Sequence, residues 1–277
     1  MGLLSPYFII RGEIKFMIRL LLTKFKNILL LLLIGGMVLT SMHTSYADEY
    51  FKYTVEQDYI NISVETMSQA PQRQCEVIIR AGEYQGKAGK RIYINSSTVK
   101  LPDDIPVRND GDGKGFYVSE WDINVKEAKA LVEKLQARGI NAKLQIAYSK
   151  SEDLNAAGRI ANKSNPYLYV SLHHNYYDAN STGYFSMYNQ NDAQGKAVAD
   201  RLSNAIANNG QVPMRDSRAN DGYIGELNVI NKTTTPVLLE LGFFSNISEL
   251  EKICSDSYVQ YVSTQLANEI TSIIKNK

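Results

Sequence analysis

The chain has few cysteines and almost no excess of positive charge. Its 277 residues include two cysteines and one tryptophan, and its formal net charge is +1. Two cysteines exclude a disulfide framework and leave Cys75 and Cys254 either as a single bridge or as two free thiols. The small net charge, without clustered Lys and Arg among aromatics, argues against a nucleic-acid partner.

Histidine is also scarce, but two of the three histidines are adjacent, at His173 and His174. They end the apolar run 167–172, which is typical of a buried strand, and strand ends are where α/β proteins build their sites. A second apolar run, 236–244, contains Glu240, a charge that is costly to bury without a partner. An imidazole and a carboxylate so placed suggest a hydrolytic metal site.

The first 47 residues are typical of an export signal. Basic residues precede the leucine-rich run 28–39, and Ser45-Tyr46-Ala47 follows as a small-x-small cleavage pattern. We therefore interpret 1–47 as a signal peptide, with Met17 as an alternative start, and expect membrane contact only through this segment. The alternative is an uncleaved membrane anchor, for which the apolar stretch is short.

The mature part is predicted to form an N-terminal strand-like segment and linker at 48–74 and one domain at 75–277. Strands alternate with helices in this domain, which predicts an α/β fold: a single domain with a mostly parallel central sheet flanked by helices on both faces. The predicted strands are 76–80, 142–148, 167–173, 183–188 and 236–244, and the predicted helices are 122–138, 154–163, 192–208 and 257–274.

The long segment between Gly82 and Glu120 interrupts this alternation. It contains a short predicted strand at 91–94 and the turn-rich stretch 109–115. That stretch resembles a calcium loop only superficially, because Trp121 stands at the twelfth position, where a carboxylate is required. We therefore predict a surface turn.

Three segments of the domain resemble the zinc-dependent N-acetylmuramoyl-L-alanine amidases. They are Ser171-Leu172-His173-His174-Asn175, the run from Pro236 to Asn246, and Leu154 with the stretch 159–162. The resemblance implies a secreted or cell-wall-associated, monomeric hydrolase whose partner is peptidoglycan. Its reaction would be cleavage of the amide between N-acetylmuramic acid and the L-alanine of the stem peptide.

The resemblance also implies roles for individual residues. Glu120 and His173 correspond to two zinc ligands, and Glu240 corresponds to the carboxylate that transfers the proton. We expect substrate contacts from the residues at and after the end of the histidine strand, which are His174, Asn175 and Tyr176.

The first metal ligand departs from the family pattern. Glu83 stands where the family has a histidine in a Gly-His-Gly turn. A carboxylate still binds Zn²⁺, but Zn²⁺ with two glutamates and one neutral histidine has no net charge. We therefore expect slower hydrolysis or a preference for a harder ion such as Mn²⁺.

Two other functions remain open at this point. The chain could be a catalytically impaired wall-binding or regulatory protein that has lost its first ligand, or a glycosidase that uses Glu83 and Glu240 as its carboxylate pair. The glycosidase leaves His173 without a role. Each of these residues could instead have a structural role. His173 could be a core histidine, and Glu240 could pair with a buried cation. Glu83 could be a solvated turn residue, and Glu120 could be a carboxylate that favours the start of a helix.

Overall fold

The structure, a computed structural model, describes residues 73–86, 89–152, 155–208 and 210–277. The interpreted signal peptide at 1–47 and the strands expected within 48–64 lie outside these residues. Among the described residues, no helix combines the length and the apolar character needed to cross a bilayer.

Strands and helices alternate over most of the described residues, as the sequence predicts. In chain order they are β1 (Val77–Tyr84), β2 (Arg91–Ile94), β3 (Arg108–Asn109), β4 (Phe116–Ser119), α1 (Glu120–Gln136), β5 (Ala142–Ala147), α2 (Asn155–Ser164), β6 (Leu168–Asn175), β7 (Phe185–Asn189), α3 (Ala193–Ala205), β8 (Arg218–Asn220), α4 (Gly225–Asn228), β9 (Thr235–Phe243), α5 (Ile247–Cys254) and α6 (Asp256–Lys275).

The main sheet has six strands in the order β5-β1-β6-β9-β7-β8. Strands β5, β1, β6 and β9 are parallel to one another, whereas β7 is antiparallel to β9, and β8 is parallel to β7. The mostly parallel α/β fold is therefore confirmed. Parallel strands end at the same edge of the sheet, so the ends of β1, β6 and β9 are neighbours.

Helices cover the main sheet on both faces. On one face, α2 and α4 pack against each other and against an apolar cluster that includes Ile78, Tyr169 and Leu238 from three neighbouring strands. On the other face, α1 packs on β1 and α6, and α3 packs on β7 and α6. Successive strand residues alternate between these faces, so each central strand is apolar on both sides.

The two cysteines form no bridge. Cys75 lies in the apolar cluster beside α2, Cys254 lies at the end of α5, and both thiols are free and buried. Of the two arrangements that the sequence left open, the structure has two free thiols. Burial raises the pKa of the Cys75 thiol to about 11, so it is protonated at neutral pH.

The segment between β1 and α1 forms a small antiparallel sheet in the order β2-β4-β3. The stretch 110–115 connects β3 to β4 as a hairpin turn in which the Asp110 carboxylate accepts hydrogen bonds from the backbone N–H groups of Asp112 and Lys114. This confirms the predicted surface turn. The predicted strand at 91–94 is β2, and its Arg91 pairs with Ser119 of β4.

The start of α1 and the end of β1 differ from the predicted boundaries. Helix α1 begins at Glu120, two residues before the predicted start, and β1 continues past Arg80 to Tyr84 through an irregularity in its pairing with β5. Strands β3, β4 and β8 and helices α4 and α5 were not predicted. The longest of them, α5, has eight residues, too few for helical periodicity to be recognised in the sequence.

Candidate metal centre

Three residues from distant parts of the chain meet at the ends of the parallel strands. Glu83, Glu120 and His173 each offer a ligand atom, and these atoms lie within 4.8 Å of one another. All three residues are buried. The structure thus brings together the set that the sequence analysis named as metal ligands.

Glu83 owes its position to an irregularity in β1. The pairing of β1 with β5 shifts between Ala81 and Tyr84, and Glu83 has a φ of +62° within this bulge. A left-handed backbone is unfavourable for a glutamate and costs on the order of 1–3 kcal/mol, and such strain is concentrated at functional sites. The bulge places Glu83 next to Glu120, with 8% of the residue exposed.

Glu120 is the first residue of α1 and is fully buried. Its Oε1 accepts hydrogen bonds from Asn124 Nδ2 at 3.1 Å and from the backbone N–H of His174 at 3.1 Å. Its Oε2 is also buried and has no hydrogen-bond partner among the residues that the structure describes. Burial raises the pKa of this carboxyl group, but Lys90 and His173 outweigh burial and lower the pKa to about 2.

His173 fits against the sheet because Gly82 has no side chain. A Cβ at Gly82 would lie 2.3 Å from Cε1 of the imidazole. The ring nitrogen Nδ1 lies 3.2 Å from Glu120 Oε1, while Nε2 lies 3.1 Å from Ser171 Oγ and 3.3 Å from Glu226 Oε1. Burial lowers the pKa of His173, but hydrogen bonds to the two carboxylates outweigh it and raise the pKa to about 10.

A buried ion pair that the sequence analysis missed lies behind His173. Arg80 NH1 and Glu226 Oε2 are 2.8 Å apart, both side chains are fully buried, and the hydroxyl of Tyr169 donates to the same glutamate oxygen at 3.1 Å. Burial raises the pKa of Glu226, but Arg80 and His173 outweigh it and lower the pKa to about 2. One signal in the sequence indicated this ion pair: Arg80 is a charged residue inside a predicted core strand, just as Glu240 is in another strand.

Glu240 lies beside His173, because the two residues are Cα partners in the parallel pairing of β6 with β9. Its Oε2 is buried and has no hydrogen-bond partner among the described residues. Burial raises the pKa of Glu240 to about 7, although His173 and Lys90 lower it in part. A carboxyl group with a pKa near neutrality can both take up and release a proton at physiological pH.

Lys90 is a second residue of the centre that the sequence analysis did not identify. Its Nζ lies 3.3 Å from Glu83 Oε1 and 3.5 Å from Glu120 Oε2, and about half of the side chain (52%) is exposed. Burial lowers the pKa of Lys90, but Glu120, Glu83 and Glu240 outweigh it, so that the pKa is raised.

The three expected substrate contacts differ in exposure. His174 is fully buried on the face of β6 opposite to His173, and its Nδ1 lies 2.8 Å from Asn124 Oδ1. Burial lowers the pKa of His174 to about 3, so the ring is neutral. Asn175 is partly exposed, and Tyr176 is 51% exposed with its ring 5.4 Å from that of Phe244. Of the three side chains, only those of Asn175 and Tyr176 reach the surface.

Comparison with known proteins gives a family match and one sequence relative. The family model described as N-acetylmuramoyl-L-alanine amidase matches residues 108–272. This range contains Glu120, His173 and Glu240, but not Glu83. The chain is 30% identical over 168 residues to the uncharacterized protein YqiI of Bacillus subtilis, covering 58% of this chain and 76% of that protein.

Solved structures of similar fold include an N-acetylmuramoyl-L-alanine amidase from Clostridium difficile 630, with a TM-score of 0.55, 20% identity, and coverage of 74% of this chain and 100% of that one. The amidase AmiC2 of Nostoc punctiforme has a TM-score of 0.53 and 20% identity, with coverage of 73% of this chain and 98% of that one. At this level of identity, the two structures show a common fold.

Proposed function

Since the chain belongs to the N-acetylmuramoyl-L-alanine amidase family, we propose that it is an exported, metal-dependent peptidoglycan hydrolase. Its substrate bond is the amide between N-acetylmuramic acid and the L-alanine of the stem peptide. The observation that carries this proposal is the convergence of Glu83, Glu120 and His173 next to Glu240.

The residues of the centre fit a divalent cation. Two carboxylates and one imidazole form a ligand set that suits Zn²⁺. Among the described residues, the buried Oε2 of Glu240 has no hydrogen-bond partner, and the buried Oε2 of Glu120 has only the ammonium group of Lys90 at 3.5 Å. A buried carboxylate oxygen without a hydrogen bond is costly, and a bound cation offsets that cost. We therefore assign the ligands as Glu83, Glu120 and His173 and the ion as Zn²⁺, with Mn²⁺ as the alternative that the second carboxylate permits.

The chemistry of the reaction divides between the ion and the protein. A bound divalent ion supplies Lewis acidity for the scissile carbonyl and acidifies the attacking water. Glu240 takes the proton of that water and delivers it to the leaving amine of L-alanine, which its near-neutral pKa allows.

The surrounding side chains orient the imidazole and the substrate. Metal binding at Nδ1, the nitrogen next to Glu120, requires the proton of His173 on Nε2, where Glu226 Oε1 lies 3.3 Å away as its acceptor. Asn175 and Tyr176 contact the substrate from the exposed end of β6, whereas His174 supports Asn124 from the opposite face.

The proposal includes the cellular context. Residues 1–47 act as a signal peptide, the mature protein is a secreted or wall-associated monomer, and its partner is peptidoglycan. Contacts with nucleic acid or, after export, with a membrane are not part of this function. Cell fractionation and sequencing of the mature N-terminus test these statements.

Digestion of purified peptidoglycan tests the activity. We expect the protein to release free L-alanine amino groups, to lose this activity with a chelator and to regain it with Zn²⁺. Replacement Glu240→Gln should lower the rate about 10²–10⁴-fold while leaving Zn²⁺ binding intact, because only the proton-transfer group is lost. New reducing ends instead of amino groups would contradict the proposal and favour a glycosidase. Zn²⁺ binding without any cleavage would favour a wall-binding or regulatory protein.

A further inference from the structure

The loop before β2 fixes Lys90 at the centre through its backbone as well as its side chain. The N–H of Lys90 donates to Glu83 Oε2 at 3.4 Å, and its carbonyl accepts from the N–H of Glu120 at 3.0 Å. The ammonium group lies against the carboxylates of the same two residues. Both assigned carboxylate ligands therefore have the same lysine as a neighbour.

The position of Lys90 has a consequence for the charge of the centre. A divalent ion with two carboxylates and a neutral imidazole sums to zero, whereas a second imidazole in place of Glu83 would leave one positive charge. The ammonium group of Lys90 adds one positive charge 3.3 Å from Glu83. The pair of Glu83 and Lys90 thus has the same net charge as one neutral histidine.

We propose that Lys90 and Glu83 act as a unit in this centre, an inference that rests on the proposed metal-dependent function. Glu83 supplies the ligand oxygen, and Lys90 cancels its negative charge. Without a metal ion, the ammonium group offsets the repulsion between Glu83 and Glu120. With the ion bound, it keeps the centre positive toward the oxygen on which negative charge develops during hydrolysis.

Two opposing effects of Lys90 follow from electrostatics. A positive charge near the ligands repels a divalent ion and weakens its binding. The same charge stabilises negative charge on the reacting carbonyl oxygen and accelerates the chemical step. A lysine that was only a partly exposed ion-pair partner would change neither quantity appreciably.

The test measures Zn²⁺ affinity by chelator competition and kcat at saturating Zn²⁺. For Lys90→Met we expect about tenfold tighter Zn²⁺ binding, because the repulsion is lost, and about tenfold lower kcat. Lys90→Arg keeps the charge and should stay close to the wild type in both. Lys114→Met, which removes an exposed lysine from the hairpin turn, is the matched control and should change neither.

A second pair of variants tests whether Lys90 acts together with Glu83. In a Glu83→His background, the ammonium group loses one of its two carboxylate partners and is free to move into solvent. Lys90→Met should then tighten Zn²⁺ binding by less than about threefold. If Lys90→Met changes Zn²⁺ affinity equally in both backgrounds, or not at all in the wild-type background, the proposal that Lys90 and Glu83 act as a unit is wrong.

The outcomes separate this inference from the proposed function. If the wild-type protein binds Zn²⁺ and cleaves peptidoglycan but Lys90→Met changes neither affinity nor kcat, the role of Lys90 is refuted and the hydrolase stands. If neither the wild type nor Lys90→Met binds Zn²⁺ or Mn²⁺, both fail. A gain in affinity without a loss of kcat refutes the electrostatic role in hydrolysis.

Discussion

Adjacent side chains at the end of β6 have different environments because a strand alternates its faces. His173 points to the face of Arg80 and Glu226, and His174 points to the face of α1, where it meets Asn124. Only His173 is therefore placed with Glu83 and Glu120. The carboxylate of Glu226 lies 3.3 Å from Nε2 of His173, and under the proposed function it orients the ring so that Nδ1 faces the ion.

Replacement Glu226→Gln should weaken both the fold and the metal centre. The buried Arg80 guanidinium would lose its carboxylate partner, which costs about 3–5 kcal/mol of the free energy of unfolding. The imidazole of His173 would lose its charged acceptor, and metal affinity should fall about 10–100-fold. Urea unfolding of the metal-free protein and chelator competition measure the two effects.

Replacement Tyr169→Phe is the matched control for this glutamate. It removes only the hydroxyl that donates to Glu226, so it should cost about 1 kcal/mol and leave metal affinity nearly unchanged. Unchanged metal affinity in Glu226→Gln would show that Glu226 serves stability alone.

At the level of the elements, the long segment between Glu83 and Glu120 forms the small sheet, which brings the two ends of that segment close together. Strand β4 ends directly before Glu120, and its last residue, Ser119, pairs with Arg91 of β2, so Lys90 comes next to Glu120. Strand β3 is tied to α1 by a bidentate ion pair between Arg108 and Asp122. The antiparallel pairing of β2 with β4 thus places Lys90 and Glu120 next to each other at the edge of the parallel sheet.

Replacement Arg108→Ala should loosen the start of α1. Asp122 keeps a favourable place in the first turn of the helix, so the free energy of unfolding should fall by only about 1–2 kcal/mol. Metal affinity should fall several-fold, because Glu120 lies two residues before Asp122. Thermal unfolding and chelator competition measure the two quantities.

Replacement Arg138→Ala, beyond the other end of α1, is the control for this ion pair. Arg138 is hydrogen-bonded to the side chain of Asn268 and the carbonyl of Lys134, so its loss should lower stability to a similar degree. Metal affinity should remain that of the wild type. Equal losses of affinity in both variants would mean that general destabilisation, and not the start of α1, weakens the centre.

For the whole molecule, a buried carboxyl group links stability to pH. Glu127 of α1 is 1% exposed, its Oε1 has no hydrogen-bond partner among the described residues, and burial raises its pKa to about 8. The unfolded chain has the ordinary pKa of 4.5. The contribution of the protonated group to stability is therefore complete below pH 4.5 and is lost as the pH rises through about 8.

Replacement Glu127→Gln should remove this dependence. The difference in free energy of unfolding between variant and wild type should shift in favour of the variant by a few kcal/mol from pH 5 to pH 9, because glutamine carries no charge. Urea unfolding of both proteins at each pH measures this difference in free energy. Glu133→Gln, an exposed glutamate on the same helix, should show no such trend. A pH-independent difference for Glu127→Gln would contradict the assignment.

The sequence was sufficient for the α/β fold and for most strands and helices of the domain, because apolar periodicity records which faces are buried. The apolar runs also singled out His173 and Glu240, whereas Glu120 and Glu83 were named from the family resemblance, and the structure places these residues together. The sequence did not predict the bulge at Glu83, the short strands β3, β4 and β8, or the short helices α4 and α5. A bulge depends on pairing with a neighbouring strand, and so leaves no periodic signal in its own strand.

Local pattern thus established the elements of this protein and the residues that end them, since burial and backbone preference act over a few neighbouring positions. The arrangement around the centre depends on contacts between distant segments. Lys90 reaches Glu120 only through the pairing of β2 with β4, and Glu226 reaches His173 only because α4 covers that face of the sheet. Charges far apart in the chain interact strongly only once folding has placed them within a few ångströms and excluded water between them.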